Sequence, residues 1–242
     1  TYLGSIGVGL VYPNARLRMA QSDRFVRELA EWRPDIVHSQ CEFSTFFLAR
    51  RIARECGAPL VHTYHTVYED FTHYFSPSVR FGRQMAAAFS RRILSPTRAV
   101  IVPTDKIRAM LRGYGVAQPI AVIPSGLDLR QFEVRPDGAE RRKARERLGF
   151  AEGDQVLLFL GRLAPEKGLD ELLTLLARRG GDAKLLLVGD GPYRGRLTEM
   201  VRELRLEGRV VFAGMAGPEE VARYYALGDV FVSASRSEAQ GL

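Results

Sequence analysis

The sequence predicts an α/β protein with two doubly wound, parallel-sheet domains. Short apolar runs typical of buried strands alternate along the chain with segments of helical periodicity. Such alternation predicts parallel sheets joined by right-handed crossovers. It is interrupted by the polar, turn-rich stretch Gln131–Glu140 and then restarts. This stretch predicts a linker between an N-terminal domain over residues 1–130 and a C-terminal domain over residues 131–242.

The predicted N-terminal domain alternates helices with strands. Residues 1–12 are glycine-rich and weakly β-like, and we assign them to no element. Gly57 is in the usual position for ending a helix, and Thr104 in the usual position for capping one. The predicted helices are Ser22–Trp32, Ser44–Cys56, Ser78–Leu94 and a helix from Thr104 to Tyr114, and the predicted strands are Pro34–His38, Pro59–His65, Ala99–Pro103 and Ile120–Pro124.

The predicted C-terminal domain begins with the charged helix Ala139–Leu148, which ends at Gly149. Strands and helices then alternate to the last residues of the chain. The predicted strands are 156–160, 184–188, 210–212 and 229–233, and the predicted helices are 169–179, 193–206 and 218–227.

The most informative stretch follows the first of these strands. Gly161 breaks the apolar run, a short loop carries Arg162 and Lys167, and Gly168 precedes the next helix. Two cations at a strand-to-helix turn, beside a helix N-terminus, are suited to bind an anion such as a diphosphate. The alternative is a solvated loop with two surface cations.

The other strand ends of this domain also lead into loops of small residues. Loops that follow parallel strands gather along one edge of the sheet, so Arg162, Lys167 and Glu238 are expected to share a cleft. The glycines after strand 184–188 superficially resemble a dinucleotide fingerprint, but Gly195 comes one position too late for it. The sequence has no Asp-x-Asp motif and no Cys/His cluster, so we expect no metal.

In the N-terminal domain, residues 65–75 form a polar loop directly after a strand. It contains two histidines, two carboxylates and four aromatic residues. Aromatic residues among polar groups suit both a sugar and a lipid-facing surface. We expect His62 to be a structural imidazole with its hydrogen bonds satisfied, and His65, at the strand end, to be functional.

Bulk properties exclude some classes of protein. The 242 residues are 46% hydrophobic, which is typical of a folded domain or two. No apolar run approaches the length of a membrane span, and there is no secretory signal. The two cysteines, Cys41 and Cys56, are expected to be reduced thiols in a cytosolic protein. The sequence looks cut at both ends.

The formal charge of +7 lies within residues 80–112, which hold eight Arg or Lys against Asp105. Such a patch usually meets an anionic surface, either nucleic acid or acidic lipid, although a merely solvated helix face is the alternative. The predicted helix 78–94 has an apolar stripe that fits either a membrane surface or core packing. The stripe is Phe81, Met85, Phe89 and Ile93; Arg80, Arg83 and Arg91 lie away from it, and Arg92 lies on it.

Three motifs in the order and separation seen here resemble the signature loops of family 4 glycosyltransferases. They are Gly161–Gly168, Val188–Pro192 and Ser235–Leu242. The resemblance implies a retaining enzyme of the GT-B architecture, in which two Rossmann-like domains face a cleft. Residues 63–66, followed by Tyr68-Glu69-Asp70 and His73-Tyr74, are most similar to the diacylglycerol glucosyltransferase branch.

The resemblance also implies roles for individual residues. Arg162 and Lys167 are expected to bind the donor diphosphate, and Glu238 matches the first glutamate of the family's E-x7-E motif. His65 and Glu238 are the expected catalytic residues. The expected donor sugar or nucleotide contacts are Gly161, Gly214, Met215, Glu238, Gly241 and Leu242; the expected acceptor-side residues are Tyr68, Glu69, His73 and Tyr74; the expected membrane-binding residues are Arg80, Arg83, Arg91 and Arg92.

The chain departs from the family pattern at both ends. The second glutamate, expected eight residues after Glu238, falls beyond Leu242. The N-terminal strand with its glycine-rich loop is also absent. Both domains are therefore expected to be incomplete.

The leading hypothesis is transfer of a hexose, with glucose expected, from a nucleotide-diphosphate sugar such as UDP-glucose to a membrane lipid such as diacylglycerol. We expect no cofactor or metal, no nucleic-acid partner, and a peripheral location on the cytoplasmic face of the cell membrane. The oligomeric state is not predicted. The alternatives are another acceptor (phosphatidylinositol, polysaccharide or a small molecule), an inactive membrane- or nucleic-acid-binding module, and a nicotinamide-dependent oxidoreductase, against which the missing fingerprint argues.

Overall fold

A computed structural model of the chain describes residues 6–7, 16–17, 23–69, 78–133, 136–235 and 237–241. The chain forms two compact units: one comprises residues up to Gly126 and a short stretch that begins at Glu238, and the other runs from Leu127 to Ser237. Each unit contains a four-stranded parallel sheet. The predicted pair of parallel α/β domains is confirmed.

The first unit is built on a sheet whose strands lie in the order β3-β4-β5-β6. Two short strands that pair antiparallel precede it, and one of them lies within the residues that the sequence left unassigned. The strands are Ile6–Gly7 (β1), Arg16–Leu17 (β2), Val37–Ser39 (β3), Leu60–Thr63 (β4), Ala99–Val102 (β5) and Ile120–Val122 (β6), and the helices are Asp23–Glu31 (α1), Ser44–Cys56 (α2), Val79–Leu94 (α3) and Asp105–Gly113 (α4).

Local signals set the ends of these helices. Helix α2 ends at Gly57, which adopts the left-handed conformation that favours glycine. The Ser78 and Thr104 side chains cap α3 and α4 by accepting hydrogen bonds from main-chain amides one turn later. The core of the unit joins these helices to the sheet through apolar side chains such as Phe46, Leu94, Val100, Val102, Ile107 and Leu111.

The second unit begins with a short helix inside the stretch predicted to be a linker, so that stretch is not purely turn-like. A 3-10 turn that the sequence did not reveal, Pro165–Lys167, follows the first strand. The strands are Val156–Leu160 (β7), Lys184–Val188 (β8), Val210–Gly214 (β9) and Val230–Phe231 (β10), and the helices are Arg130–Glu133 (α5), Gly138–Arg147 (α6), Leu169–Arg179 (α7), Arg194–Glu203 (α8) and Val221–Leu227 (α9).

The strand order of this sheet is β10-β7-β8-β9, so the chain reverses direction across the sheet after β9. Helices α7 and α8 share one apolar cluster with the sheet, whereas α6 and α9 share another. The unit is therefore doubly wound. Its topological switch point lies between β7 and β10, where open α/β sheets form a crevice beyond the carboxyl ends of the strands.

The buried side chain of Arg145 connects helix α6 to the end of α9 and to the residues before β10. Arg145 donates to the Leu227 carbonyl and forms an ion pair with Asp229. Asp229 also accepts from the Val156 amide and pairs with Arg141. Burial alone would raise the pKa of the Asp229 carboxyl, but hydrogen bonds from Val156, Arg145 and Arg141 lower the pKa below its ordinary value of 3.8. The stability that this carboxylate contributes is present above that value and is lost as the pH falls through the lower pKa of the folded state.

Two glycines allow the loop after β8 to lie directly on the loop after β7. A Cβ atom at Gly189 would lie 2.0 Å from the Gly161 carbonyl oxygen, and one at Gly191 would lie 2.3 Å from the Leu163 carbonyl oxygen. The Leu163 amide donates to the Asp190 carbonyl at 3.0 Å. These glycines therefore serve close backbone packing that supports the loop carrying Arg162.

Replacing Gly191 with alanine tests this packing. We expect Gly191→Ala to destabilise the second unit by about 1–3 kcal/mol, because the Leu163 main chain has to move. Gly195, in α8, is the matched control: nothing lies within 4 Å of its added Cβ. We expect Gly195→Ala to be neutral or to stabilise by up to about 1 kcal/mol. Urea unfolding of both variants measures the difference, and equal free energies of unfolding would contradict the packing.

Candidate functional site

The four parallel strands of the second unit deliver their following loops to one edge of the sheet. Gly161 follows β7, Gly189 follows β8, Gly214 ends β9, and Ser233 comes soon after β10. The Gly189 amide donates to the Gly214 carbonyl at 2.7 Å, which ties two of these loops together. Within the second unit, the gathering of strand ends predicted from the sequence is confirmed.

The loop Gly161–Gly168, named the clamp loop here, lies at the switch point. Its 3-10 turn has Pro165 at the start and ends at Gly168, whose φ of 63° is in the left-handed region. A Cβ atom on Gly168 would lie 2.6 Å from the Ala234 carbonyl oxygen. The clamp loop therefore contacts the segment after β10 at the switch point.

The charges of the clamp loop are more constrained than its sequence indicates. The Arg162 guanidinium forms an ion pair with the Glu166 carboxylate, which is almost fully buried. Lys167, in the same turn, is half-buried. The sequence analysis considered only the two cations and missed Glu166, although its spacing of four from Arg162 was a signal. Glu166 holds Arg162 in a defined orientation before any ligand arrives.

The other expected donor contacts are divided between the two units. Gly214 ends β9 in the second unit, and the neighbouring Met215 side chain is exposed. Glu238 and Gly241 belong to the stretch that groups with the first unit.

In the first unit, His65 lies just beyond the end of β4. Its side chain is exposed, and its Nε2 is 3.4 Å from the Gln40 side-chain oxygen in the loop after β3. His62, within β4, is fully buried rather than partly buried, and both of its ring nitrogens are without a hydrogen-bond partner among the described residues. Its Nε2 lies 3.5 Å from Glu42 Oε1. The expectation of a fully satisfied imidazole is therefore wrong.

Glu42 is a second residue that the sequence analysis missed. Its carboxylate is buried beside His62 and Tyr68. Burial raises the pKa of the Tyr68 hydroxyl, and the nearby Glu42 carboxylate raises it further. Tyr68 therefore stays neutral at physiological pH. A charged residue in the loop between β3 and α2 was the only sequence signal for this contact.

The expected acceptor-side residue Glu69 is held by two neighbours. Its Oε2 accepts a hydrogen bond from the Tyr114 hydroxyl at 2.8 Å and lies 3.4 Å from Arg83 Nε. Burial and the bond to Glu69 raise the pKa of Tyr114. Arg91 donates to the Tyr114 main-chain carbonyl at 2.6 Å. Two of the four expected membrane-binding arginines are thus engaged with this part of the unit.

Helix α3 presents the N-terminal half of its predicted apolar stripe away from the core, whereas Phe89 packs against the core. Phe81 is 57% exposed and Met85 is 42% exposed, whereas Ile93 is buried. The side that packs into the unit carries mostly small residues, namely Gly82, Ala86, Ser90, Ile93 and Leu94. Core packing therefore does not explain the N-terminal half of the stripe. Arg80 and Arg92 are exposed on the same helix.

Three expected site residues, His73, Tyr74 and Leu242, lie outside the described residues. Within the described ranges, no group of three or more His, Cys, Asp or Glu side chains is arranged to hold a metal ion. In the same part of the chain, no helix has both the length and the apolar character needed to cross a bilayer.

Comparison with known proteins places these features in a family. The family model described as Glycosyltransferase Family 4 matches residues 3–131, and the model described as Glycosyl transferases group 1 matches residues 140–242.

Two similar relatives carry the same name. Alpha-monoglucosyldiacylglycerol synthase of Streptococcus pneumoniae is 38% identical over 217 residues, which cover 88% of this chain and 49% of the relative. The protein of that name from Acholeplasma laidlawii is 29% identical over 228 residues, which cover 90% of this chain and 57% of the relative. The chain thus spans about half the length of the curated relatives it matches.

Among solved structures, Anabaena Alr3699/HepE in complex with UDP-glucose is similar with a TM-score of 0.71. The identity is 22%, and the match covers 88% of this chain and 56% of that one. At this identity the likeness shows the fold alone, and it confirms the predicted GT-B-like fold class of two Rossmann-like units. Because its first family model matches more than half of the 242 residues, the chain belongs to glycosyltransferase family 4.

Proposed function

We propose that the protein carrying this chain transfers a hexose, with glucose as the first choice, from a nucleotide-diphosphate sugar to a hydroxyl of a membrane lipid such as diacylglycerol. The observation that carries the proposal is the clamp loop at the switch point, which carries Arg162 and Lys167 and contacts the segment after β10 at Gly168. The printed names of the two relatives support the choice of sugar and acceptor.

The donor diphosphate is proposed to bind at the clamp loop. Cations fixed beside a leaving group stabilise the negative charge that develops on it, so Arg162 and Lys167 can serve where other enzymes use a metal. Glu166 orients Arg162 for this task through their ion pair. Glu238 is proposed to bind donor-sugar hydroxyls, and UDP-glucose is the proposed donor because the similar Anabaena protein was crystallised with it.

The proposed reaction retains the configuration of the sugar. The bond between the anomeric carbon and the diphosphate oxygen breaks, and its electron pair leaves with the nucleoside diphosphate. The acceptor hydroxyl oxygen attacks the anomeric carbon from the same face, and its proton passes to a phosphate oxygen of the leaving group. No side chain is needed as a covalent nucleophile. His65 is proposed to help position the reacting centre.

The acceptor is proposed to approach the first unit. Glu69 offers a carboxylate fixed by Tyr114 and Arg83, and Tyr68 offers an aromatic surface beside it. The exposed Phe81 and Met85 of α3, together with Arg80 and Arg92, fit a surface that docks on anionic lipid. The proposed location is therefore the cytoplasmic face of the cell membrane.

Removing one clamp cation tests the donor site. In the full-length protein, Lys167→Ala is expected to lower the transfer rate by about 100-fold or more, because a contact to the developing charge is lost. Lys143→Ala, which removes an exposed lysine from α6, is the matched control and should leave the rate unchanged. Release of nucleoside diphosphate from UDP-glucose measures both rates. A Lys167→Ala enzyme as fast as the control would refute the clamp.

Removing two exposed arginines of α3 tests the membrane surface. Each arginine near an anionic surface contributes about 1 kcal/mol, so Arg80→Ala combined with Arg92→Ala should weaken binding to anionic vesicles about 30-fold. The control removes Arg178 and Arg179, two exposed arginines in the last turn of α7. Vesicle co-sedimentation measures the binding. If both double variants bind equally well, α3 is not the docking surface.

A further inference from the structure

At least four hydrogen bonds among the described residues join the stretch that carries Glu238 to the rest of the first unit. Lys106 Nζ donates to the Glu238 carbonyl at 3.2 Å, and Thr104 Oγ1 donates to the Ala239 carbonyl at 3.0 Å. The Gln240 side chain supplies the other two bonds, both to Ser125. Three consecutive residues are thus held in place by residues that follow the ends of strands β5 and β6.

Gln240 forms the most specific of these contacts. Its Oε1 accepts a hydrogen bond from the Ser125 amide at 2.9 Å, and its Nε2 donates to the Ser125 carbonyl at 3.3 Å. An amide side chain is one of few that can accept from and donate to the same main-chain residue. Both Gln240 and Ser125 are partly buried, so water competes only weakly for these bonds.

Two further contacts strengthen the attachment. The Thr104 hydroxyl caps α4 by accepting from the Ile107 amide while it donates to Ala239. Ala239 packs against the apolar core of the first unit. The attachment therefore includes a helix start and part of the core.

The residues on either side of the stretch are small, and among those before it Ala234 lies against Gly168 of the clamp loop. Ser233, Ala234, Ser235 and Ser237 precede Glu238, and Gly241 follows Gln240. Small residues and glycine leave a chain many accessible conformations in the absence of other contacts. The four bonds to the first unit are thus well suited to fix the main chain at Glu238.

We propose that Gln240 is a positioning residue that fixes the Glu238 main chain by pairing with Ser125. This inference rests on the proposed function, because Glu238 is the proposed ligand of the donor sugar. The proposal predicts that losing this pairing affects one step of the reaction and not another. Loss of the pairing should impair transfer of the sugar without weakening the binding of the free nucleoside diphosphate, since that binding depends on Arg162 and Lys167 in the second unit.

The test compares Gln240→Ala and Gln240→Glu with Gln118→Ala in the full-length protein. Gln118 is a suitable control because its amide also donates to a main-chain carbonyl, that of Ser95, at 3.2 Å. Both Gln240 variants should lower kcat at least about tenfold, because misplacing a group at a reacting centre is costly. Gln240→Glu is nearly isosteric but cannot donate to Ser125, so it decides the outcome if Gln240→Ala folds poorly. Gln118→Ala should keep the wild-type rate.

Two further measurements separate positioning from general stability. The affinity for UDP, measured by calorimetry, should be unchanged in the Gln240 variants. Hydrogen exchange at the Ser125 amide should be faster in Gln240→Ala, because its acceptor is lost. Wild-type rates in both Gln240 variants would overturn the inference while leaving the proposed function intact, and a parallel loss of UDP binding would also overturn it by showing a merely structural role. A wild-type protein that transfers no hexose would overturn both.

Discussion

The reversal of strand order in the second unit is the constraint on which the candidate donor site depends. Because β10 lies beside β7, the clamp loop and the segment after β10 come together at one edge of the sheet. Gly168 permits this approach, since a side chain there would meet the Ala234 carbonyl. Parallel backbone pairing holds the two strands together, and Val232, just after β10, packs against the apolar cluster of α7 and α8. The positions of Arg162 and Lys167 therefore depend on strand pairing and packing elsewhere in the second unit, not on the charges themselves.

Three glycines of the second unit, Gly168, Gly189 and Gly191, have two different structural roles. Gly189 and Gly191 let main chain lie against main chain and thereby support the clamp loop. Gly168 instead combines a left-handed conformation with a close contact to the Ala234 carbonyl, in the segment after β10. Backbone geometry therefore explains the glycines of the family motifs. The charged residues of those motifs lie on the loops that these glycines shape.

Elements governed by local signals could be predicted from the sequence. Strands β7 and β8 are continuous apolar runs, because helices cover both faces of their sheet, and their predicted bounds agree with the structure. Helix α2 was predicted with its correct bounds, and Gly57 marks its end. The 3-10 turn of the clamp loop was not predicted, because three residues are too few to show a periodicity.

Contacts between distant parts of the chain could not be predicted in this way. The pairing of Glu69 with Tyr114 joins residues 45 positions apart, and the pairing of Ser125 with Gln240 joins residues 115 positions apart. Likewise, the apolar stripe on α3 was compatible with either core packing or a surface role. The structure shows that the small residues Gly82, Ala86 and Ser90 pack inward. Phe81 and Met85 of the stripe are exposed. Sequence patterns identified the candidate charged residues, and tertiary packing determined their partners.

We propose that the clamp loop and the segment after β10 bind the diphosphate of the donor. Titrating the full-length protein with UDP, and following the chemical shifts of its backbone amides, tests this binding site. We expect the largest changes at residues 161–168 and 233–235, because backbone amides at a switch point are suited to bind an anion. Changes confined to other regions, such as the basic helix α6, would contradict it.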